Sequence, residues 1–192
     1  MKTEEINGLT KVYAIIGDPI SAVRSPAATN AEFSRLGENA VMIAIHVAPA
    51  DLKTVWAAFT KMKNLDGIIV TMPHKAAICD LVDEIGTNAQ VVGAANAVKR
   101  CPDGTWAADM FDGIGFVEGM KSQGHTLKGR SIFQSGAGSA GTAVAVALAQ
   151  ESISKLVISD IDKAREKLAV DRIRQAFPAL NIKAGLIDEG PF

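Results

Sequence analysis

The stretch SIFQSGAGSAG at residues 131–141 contains three glycines at a spacing that could hold a pyrophosphate. Gly136, Gly138 and Gly141 follow a short apolar run and lead into an alanine-rich segment, which is the order strand, tight turn and helix. In such a turn, backbone N–H groups at a helix N-terminus face the phosphates, and glycine is needed wherever a side chain would hold them away. Glycines at this spacing also occur in ordinary strand–helix turns, so the motif alone does not establish dinucleotide binding.

An aspartate stands at the end of the next predicted strand, residues 155–159. Asp160 lies about 20 positions past the glycines, where a carboxylate can bind the ribose 2′-hydroxyl of NAD and would repel the 2′-phosphate of NADP. The sequence therefore predicts that NAD is preferred over NADP, although Lys163 and Arg165 in the following helix leave some use of NADP open. The predicted cofactor site comprises Gly136, Ala137, Gly138, Ser139, Ala140, Gly141 and Asp160.

Lys75 is a candidate for proton transfer. It follows a predicted strand at residues 67–70 and precedes a predicted helix at residues 76–85. The first turn of a helix is the positive end of its dipole, where a carboxylate is the stabilising choice. A residue that breaks a local rule at the C-terminal end of a strand often marks a functional site. A lysine that simply points into solvent explains the same position equally well.

Asp112 is a second acidic candidate, placed directly before Gly113 and a predicted helix. An aspartate at such a position is most often an N-cap, whose side chain accepts hydrogen bonds from the first backbone N–H groups of the helix. From its position alone, Asp112 therefore has a sufficient structural explanation.

The elements that must position these residues alternate along the chain. Apolar runs bounded by turn signals predict strands, and apolar residues at helical spacing predict helices, so βαβ units and a largely parallel sheet are expected. The predicted strands are residues 11–16, 41–47, 67–70, 155–159 and 181–187, with a hairpin of 96–99 and 105–108. The predicted helices are residues 27–36, which begin at Ser25 and Pro26, then 50–62, 76–85, 113–120, 142–150 and 162–177.

The composition excludes several classes of protein. Hydrophobic residues form 48% and charged residues 21% of the 192 residues, which is enough apolar side chain for a buried core. The net charge of −1 gives no sign of a nucleic-acid partner, and no apolar run approaches the roughly 18 residues of a membrane span. Cysteines and histidines lack metal-ligand spacing, so no metal is predicted. We expect a cytoplasmic protein without nucleic-acid or membrane partners; a homodimer is compatible with the sequence, but no residue requires it.

Four stretches in order resemble the shikimate dehydrogenase family, including its quinate dehydrogenase branch. They are GDPISAVRSP from Gly17, VTMPHK from Val70, GAANAV from Gly93 with DMFDG from Asp109, and GAGSAG from Gly136. The resemblance implies an α/β fold, with an N-terminal substrate domain at residues 1–110 and a Rossmann-type nucleotide domain at 111–192, and an active site in the cleft between them. It implies reversible hydride transfer between NAD(P) and a cyclic hydroxy acid such as shikimate or quinate.

The resemblance also assigns roles to single residues. Lys75 and Asp112 match the catalytic lysine and aspartate of the family, and Ser25, Thr71 and Asn96 match positions that contact the cyclic carboxylate substrate. Oxidation of a secondary alcohol needs a hydride acceptor and a group that takes the hydroxyl proton. Since a free lysine has a pKa of about 10.4, we expect a helix N-terminus and Asp112 to tune Lys75.

Five residues depart from the family pattern in the predicted substrate pocket. Val23, Ile69, Ala97 and the pair Met110 and Phe111 stand where the family usually has hydrogen-bonding side chains. A site built for a polyhydroxylated acid loses affinity when these partners vanish, because buried hydroxyl groups are left unpaired. A substrate that is larger or carries fewer hydroxyl groups than shikimate is therefore a reasonable expectation.

The predicted nucleotide domain supplies three strands, whereas a complete dinucleotide fold has about six. Two explanations are open at this point. The sequence is a C-terminally incomplete piece of a longer enzyme, or it is a truncated paralogue that acts as a non-catalytic ligand-binding module.

Overall fold

The computed structural model describes residues 6–185. Contacts divide the chain into two compact units. Residues up to Ile85 and the segment Ala95–Asp109 form the first unit, while Gly86–Ala94 and the chain from Met110 onward form the second. The predicted division at residue 110 places 86–94 in the substrate domain, whereas contacts place this segment in the second unit.

The first unit is built on a mixed six-stranded sheet with the order β2-β1-β3-β5-β6-β4. Its strands are β1 (Lys11–Gly17), β2 (Ala40–His46), β3 (Leu65–Val70), β4 (Glu84–Ile85), β5 (Ala97–Arg100) and β6 (Trp106–Asp109). Helices α1 (Ser25–Leu36) and α2 (Leu52–Phe59) connect the first three strands. Both pairings of β5 are antiparallel, and the other three pairings are parallel.

The core of the first unit explains why its sequence forms these elements. Strand β1 lies between two parallel neighbours, and its C-terminal half is fully buried, as expected for an apolar run covered on both faces. Leu52, Trp56 and Phe59 recur at helical spacing and form the buried stripe of α2. The ring of Trp56 packs edge-on against Trp106 at 5.3 Å, which joins this helix to the β5–β6 side of the sheet.

The second unit has a three-stranded parallel sheet with the order β7-β8-β9. Its strands are β7 (Ser131–Ser135), β8 (Lys155–Ser159) and β9 (Asn181–Ala184), and its helices are α3 (Thr87–Val92), α4 (Asp112–Ser122), α5 (Ser139–Gln150) and α6 (Lys163–Ala176). This is the order of the first half of a Rossmann fold. The predicted last strand extends to residue 187, and its final residues lie outside the described part of the chain.

Two elements differ from the sequence prediction. The prediction of a helix at residues 76–85 is wrong. The structure has a 3₁₀ helix at Ala77–Asp80, which is followed by the short strand β4. Pairing with β6 overrides the helical pattern there, because the Asp83 side chain accepts the Trp106 N–H at 2.8 Å and β4 runs parallel to β6. Helix α3 is absent from the prediction, since its short run between two glycines has no clear apolar periodicity.

Two predicted helix starts also shift by one residue. Arg24, not Ser25, occupies the N-cap of α1, and Phe111 occupies the N-cap of α4, so Ser25 and Asp112 are the first helical residues. Within residues 6–185, no helix is long and apolar enough to cross a membrane.

Candidate functional site

The loops after β1 and β3 meet at the C-terminal edge of the first sheet. The Asp18 N–H donates to the Met72 carbonyl at 2.9 Å, and the Thr71 N–H donates to the Ile16 carbonyl at 2.9 Å. Gly17 has room only for a hydrogen, because a Cβ there would overlap the Thr71 side chain and lie 2.9 Å from the Met72 carbonyl oxygen. This glycine therefore permits the close approach of the GDPISAVRSP and VTMPHK stretches.

Lys75 and Asn96 lie at the same edge as Thr71. The Ala95 N–H donates to the Lys75 carbonyl at 2.8 Å, and the Val70 N–H donates to the Asn96 carbonyl at 2.8 Å. Three of the predicted site residues are thus brought together by backbone hydrogen bonds between neighbouring segments. The expected helix N-terminus near Lys75 is a four-residue 3₁₀ helix, so the tuning of this lysine by an α-helix dipole is not supported.

Ser25 belongs to the same unit as these three residues. It begins α1 seven residues after Asp18, whose backbone bond to Met72 ties the loop to the Thr71–Lys75 region. The structure therefore places Ser25, Thr71, Lys75 and Asn96 in one unit. Asp112 belongs to the other unit.

Two histidines occupy this region. His46 ends β2 opposite Gly17, and its Nε2 lies 2.6 Å from Asp18 Oδ1. His74 is buried, and its Nε2 lies 2.7 Å from the Val47 carbonyl, which makes it a structural residue. The parallel register of β1 and β2 could have indicated the His46–Asp18 pair. Among residues 6–185, no group of three His, Cys, Asp or Glu side chains is placed to hold a metal ion.

Asp112 is the first residue of α4, which packs against α5. A Cβ at Gly113 would overlap the Ala143 carbonyl, so the glycine after Asp112 allows the two helices to approach closely. The position of Asp112 is therefore fixed by helix packing.

The glycine-rich segment forms the predicted turn between β7 and α5. Gly136 has a φ of +102°, a conformation that side chains disfavour, and its N–H donates to the Ser159 carbonyl at 2.7 Å. A Cβ at Gly141 would overlap the Gly136 carbonyl, whereas a Cβ at Gly138 would meet nothing within 4 Å. Gly141 is thus required by the protein's own packing, and the space beside Gly138 is open.

Asp160 is held against this turn. Its Oδ2 accepts the Ala137 N–H at 2.7 Å, and its Oδ1 accepts the Asp162 N–H at 2.9 Å. These two backbone hydrogen bonds, first the Ala137 bond and then the Asp162 bond, hold the pKa of Asp160 below its usual value. The structure therefore joins the predicted cofactor residues in one cluster around an ionised carboxylate.

The sequence analysis did not identify two residues that support this cluster. The Gln134 side-chain amide donates to the Gly136 and Gly141 carbonyls, both at 2.9 Å. Glu166 is only 5% exposed; it accepts the Asp160 N–H at 2.8 Å and pairs with Lys163 at 2.7 Å. The Lys163 bond, followed by the Asp160 N–H, lowers the pKa of Glu166. A polar residue in the apolar run before Gly136 was the available signal for Gln134.

Sequence comparison identifies related proteins. Residues 15–98 match the model of a protein family described as "Shikimate dehydrogenase substrate binding domain". The shikimate dehydrogenase (NADP(+)) of Rubrobacter xylanophilus is 36% identical over 160 residues, which cover 83% of this chain and 56% of that protein. The chain therefore spans little more than half the length of this curated relative.

Structure comparison gives the same relationship. The crystal structure of shikimate 5-dehydrogenase from Listeria monocytogenes in complex with shikimate and NAD matches with a TM-score of 0.90 and 30% identity, over 97% of this chain and 65% of that one. Shikimate dehydrogenase from Aquifex aeolicus matches with a TM-score of 0.82 and 32% identity, over 98% of this chain and 74% of that one.

Proposed function

This chain belongs to the shikimate dehydrogenase family, and from that premise we propose that it serves reversible hydride transfer between NAD(P) and a cyclic hydroxy acid of the shikimate or quinate type. The observation that carries this proposal is the contact between Asp160 and the Ala137 N–H, because it holds the carboxylate that we assign to the ribose against the turn that we assign to the pyrophosphate.

The residues of the turn fit a dinucleotide. Ser139 begins α5, so backbone N–H groups at a helix start are available to a pyrophosphate, and the open space beside Gly138 is where a Cβ would intrude on one. The nicotinamide ring of the bound cofactor supplies the hydride chemistry. The protein's part is to bind and orient it.

In the first unit we assign the proton chemistry to Lys75. Oxidation of a secondary alcohol leaves a hydroxyl proton, which a positioned general base can take. Asp112 is assigned as the second catalytic residue, and Ser25, Thr71 and Asn96 as ligands of the substrate carboxylate and hydroxyl groups. The support for this assignment is the family membership together with the shared sheet edge of Thr71, Lys75 and Asn96.

The substrate we propose has fewer hydroxyl groups than shikimate or a larger apolar part. Ile69 and Ala97 are paired across β3 and β5, so two of the apolar departures from the family pattern stand side by side. In the second unit, Phe111 directly precedes Asp112 and is 49% exposed, so a large apolar side chain replaces a polar one there as well. Apolar groups in these places favour an apolar substrate surface over additional hydroxyl groups.

We propose that the cofactor is NAD in preference to NADP. Asp160, Asp162 and Glu166 place three carboxylates at the end of β8, against the two cations Lys163 and Arg165. A 2′-phosphate would add negative charge beside an ionised Asp160. The name of the Rubrobacter relative specifies NADP(+), so direct comparison of the two cofactors is needed.

The decisive experiment measures binding and turnover separately. Calorimetry with NAD, NADP, shikimate and quinate gives the affinities, and the absorbance of reduced nicotinamide gives the rate. We expect turnover to fall about 10²-fold or more in Lys75→Ala with NAD affinity unchanged, and the surface variant Lys53→Ala to behave as wild type. Binding of substrate without turnover by the wild-type chain would instead identify a ligand-binding module, and failure to bind either dinucleotide would overturn the proposal.

A further inference from the structure

Arg172 of α6 holds the turn that follows α3. Its guanidinium donates to the carbonyl of Val92, the last residue of α3. The next residue, Gly93, has a φ of +72°, and a Cβ there would overlap three guanidinium atoms. The guanidinium therefore lies directly on the glycine that opens the GAAN stretch.

The same short stretch leads into a proposed substrate ligand. Three residues after Gly93, the Asn96 N–H donates to the Asp109 carbonyl at 3.1 Å, and the preceding Ala95 N–H donates to the Lys75 carbonyl. The four residues of the stretch are thus held at one end by Arg172 and at the other by backbone bonds to Lys75 and Asp109. A loose first end would let the second end move.

The position of Arg172 is not explained by a surface ion pair. The neighbouring acidic residue, Asp171, is already bound by Lys167 at 2.7 Å and by Arg174 at 3.2 Å. Arg172 is partly buried and reaches across to a segment 80 residues earlier in the chain. A cation at the C-terminal end of a helix satisfies a carbonyl that has no partner within the helix.

We propose that Arg172 is a positioning residue for the substrate, acting through the Gly93 turn on Asn96. The proposal rests on the proposed function only in the role given to Asn96. Its structural part, that Arg172 fixes the GAAN stretch, stands independently of any ligand.

The test uses the full chain and two readouts. Amide hydrogen exchange reports the Ala95 and Asn96 N–H groups without any ligand, and calorimetry reports shikimate, quinate and dinucleotide affinity. In Arg172→Ala we expect exchange at both amides to rise about tenfold or more, and affinity for the carboxylate ligand to fall about tenfold with dinucleotide affinity unchanged. Arg172→Lys, which keeps one donor for the Val92 carbonyl, should recover part of both effects.

Arg174→Ala is the matched control, because it removes a guanidinium from the same helix and should leave both readouts at wild-type values. Unchanged exchange at Ala95 and Asn96 in Arg172→Ala would overturn the proposal. Equal losses of dinucleotide and carboxylate affinity would also overturn it, since they indicate general destabilisation. If the wild-type chain binds no carboxylate, the proposed function fails, and the exchange readout still decides whether Arg172 fixes the stretch.

Discussion

At the scale of single residues, the proposed preference for NAD depends on the charge of Asp160. Replacing Asp160 with Asn keeps an acceptor for the Ala137 N–H and removes the negative charge that opposes a 2′-phosphate. We expect the ratio of NADP to NAD affinity to rise about tenfold in Asp160→Asn, measured by calorimetry. Asp171→Asn, which removes the same charge from the surface of α6, should leave the ratio unchanged, and an unchanged ratio in Asp160→Asn would refute the assigned role.

The same carboxylate predicts a pH dependence. Hydrogen bonds from Ala137 and Asp162 lower the pKa of Asp160 from its usual 3.8 in the folded protein. The stabilisation is therefore fully present above the unfolded pKa of about 3.9 and is lost as pH falls through the lower folded value. Thermal unfolding should show a loss of stability as the pH falls below about 4 that is smaller in Asp160→Asn; equal acid sensitivity of both proteins would contradict this reading.

Sequence spacing predicts some residues of the candidate site but not others. The positions of Asp160 and the three glycines followed from spacing, because strand, turn and helix fix them locally. Gln134 and Glu166 could not be assigned from spacing, since their partners are backbone groups brought near only by the folded turn. Arg172 was equally hidden, because its partner is 80 residues away.

At the scale of elements, the glycine-rich segment that leads from β7 into α5 contains two glycines with different roles: the fold requires Gly141, whereas the proposed function requires Gly138. Gly141 faces the Gly136 carbonyl, and Gly138 faces open space. We expect Gly141→Ala to lower the melting temperature by several degrees or more and to weaken dinucleotide binding. Gly138→Ala should keep the melting temperature within about 2 °C of wild type and weaken dinucleotide binding about tenfold or more.

The contrast between the two variants is the informative result. Thermal unfolding and calorimetry on both proteins separate packing from ligand contact. Normal dinucleotide affinity in Gly138→Ala would show that the pyrophosphate does not approach this turn, whatever the fate of Gly141→Ala.

Elements whose partners are close in sequence were predicted well. Strand β8 has the predicted bounds, and β1, β2, β3, α5 and α6 differ from prediction only at their ends. The failures at residues 76–85 and at α3 have a common cause. Strand β4 exists because it pairs with β6, and α3 packs on α5 and α6, so long-range contacts decide both.

At the scale of the whole molecule, the chain passes between its two units three times, near residues 85, 94 and 109. The segment Gly86–Ala94 interrupts the first unit in sequence and belongs to the second by its contacts. Within the second unit, Gln150 donates to Asn88 at 3.1 Å and Arg172 donates to Val92. The family resemblance implied a single boundary at residue 110, and it could not reveal that residues 86–94 belong to the second unit.

This chain path predicts that cutting at residue 109 does not yield two independent domains. A polypeptide of residues 1–109 retains the first sheet but deprives α3 of α5 and α6, and residues 110–192 lose α3 in return. We expect amides of residues 87–93 to exchange about 10²-fold faster in the isolated 1–109 polypeptide than in the intact chain. Adding residues 110–192 in trans should restore part of this protection, because α3 then regains its packing partners.

A chain with one cut inside the exposed turn at Asp103 and Gly104 is the control for cleavage itself, since both sides of that turn belong to the first unit. Full protection of the α3 amides in the isolated 1–109 polypeptide would contradict this prediction. It would show that α3 is stable without its contacts to α5 and α6.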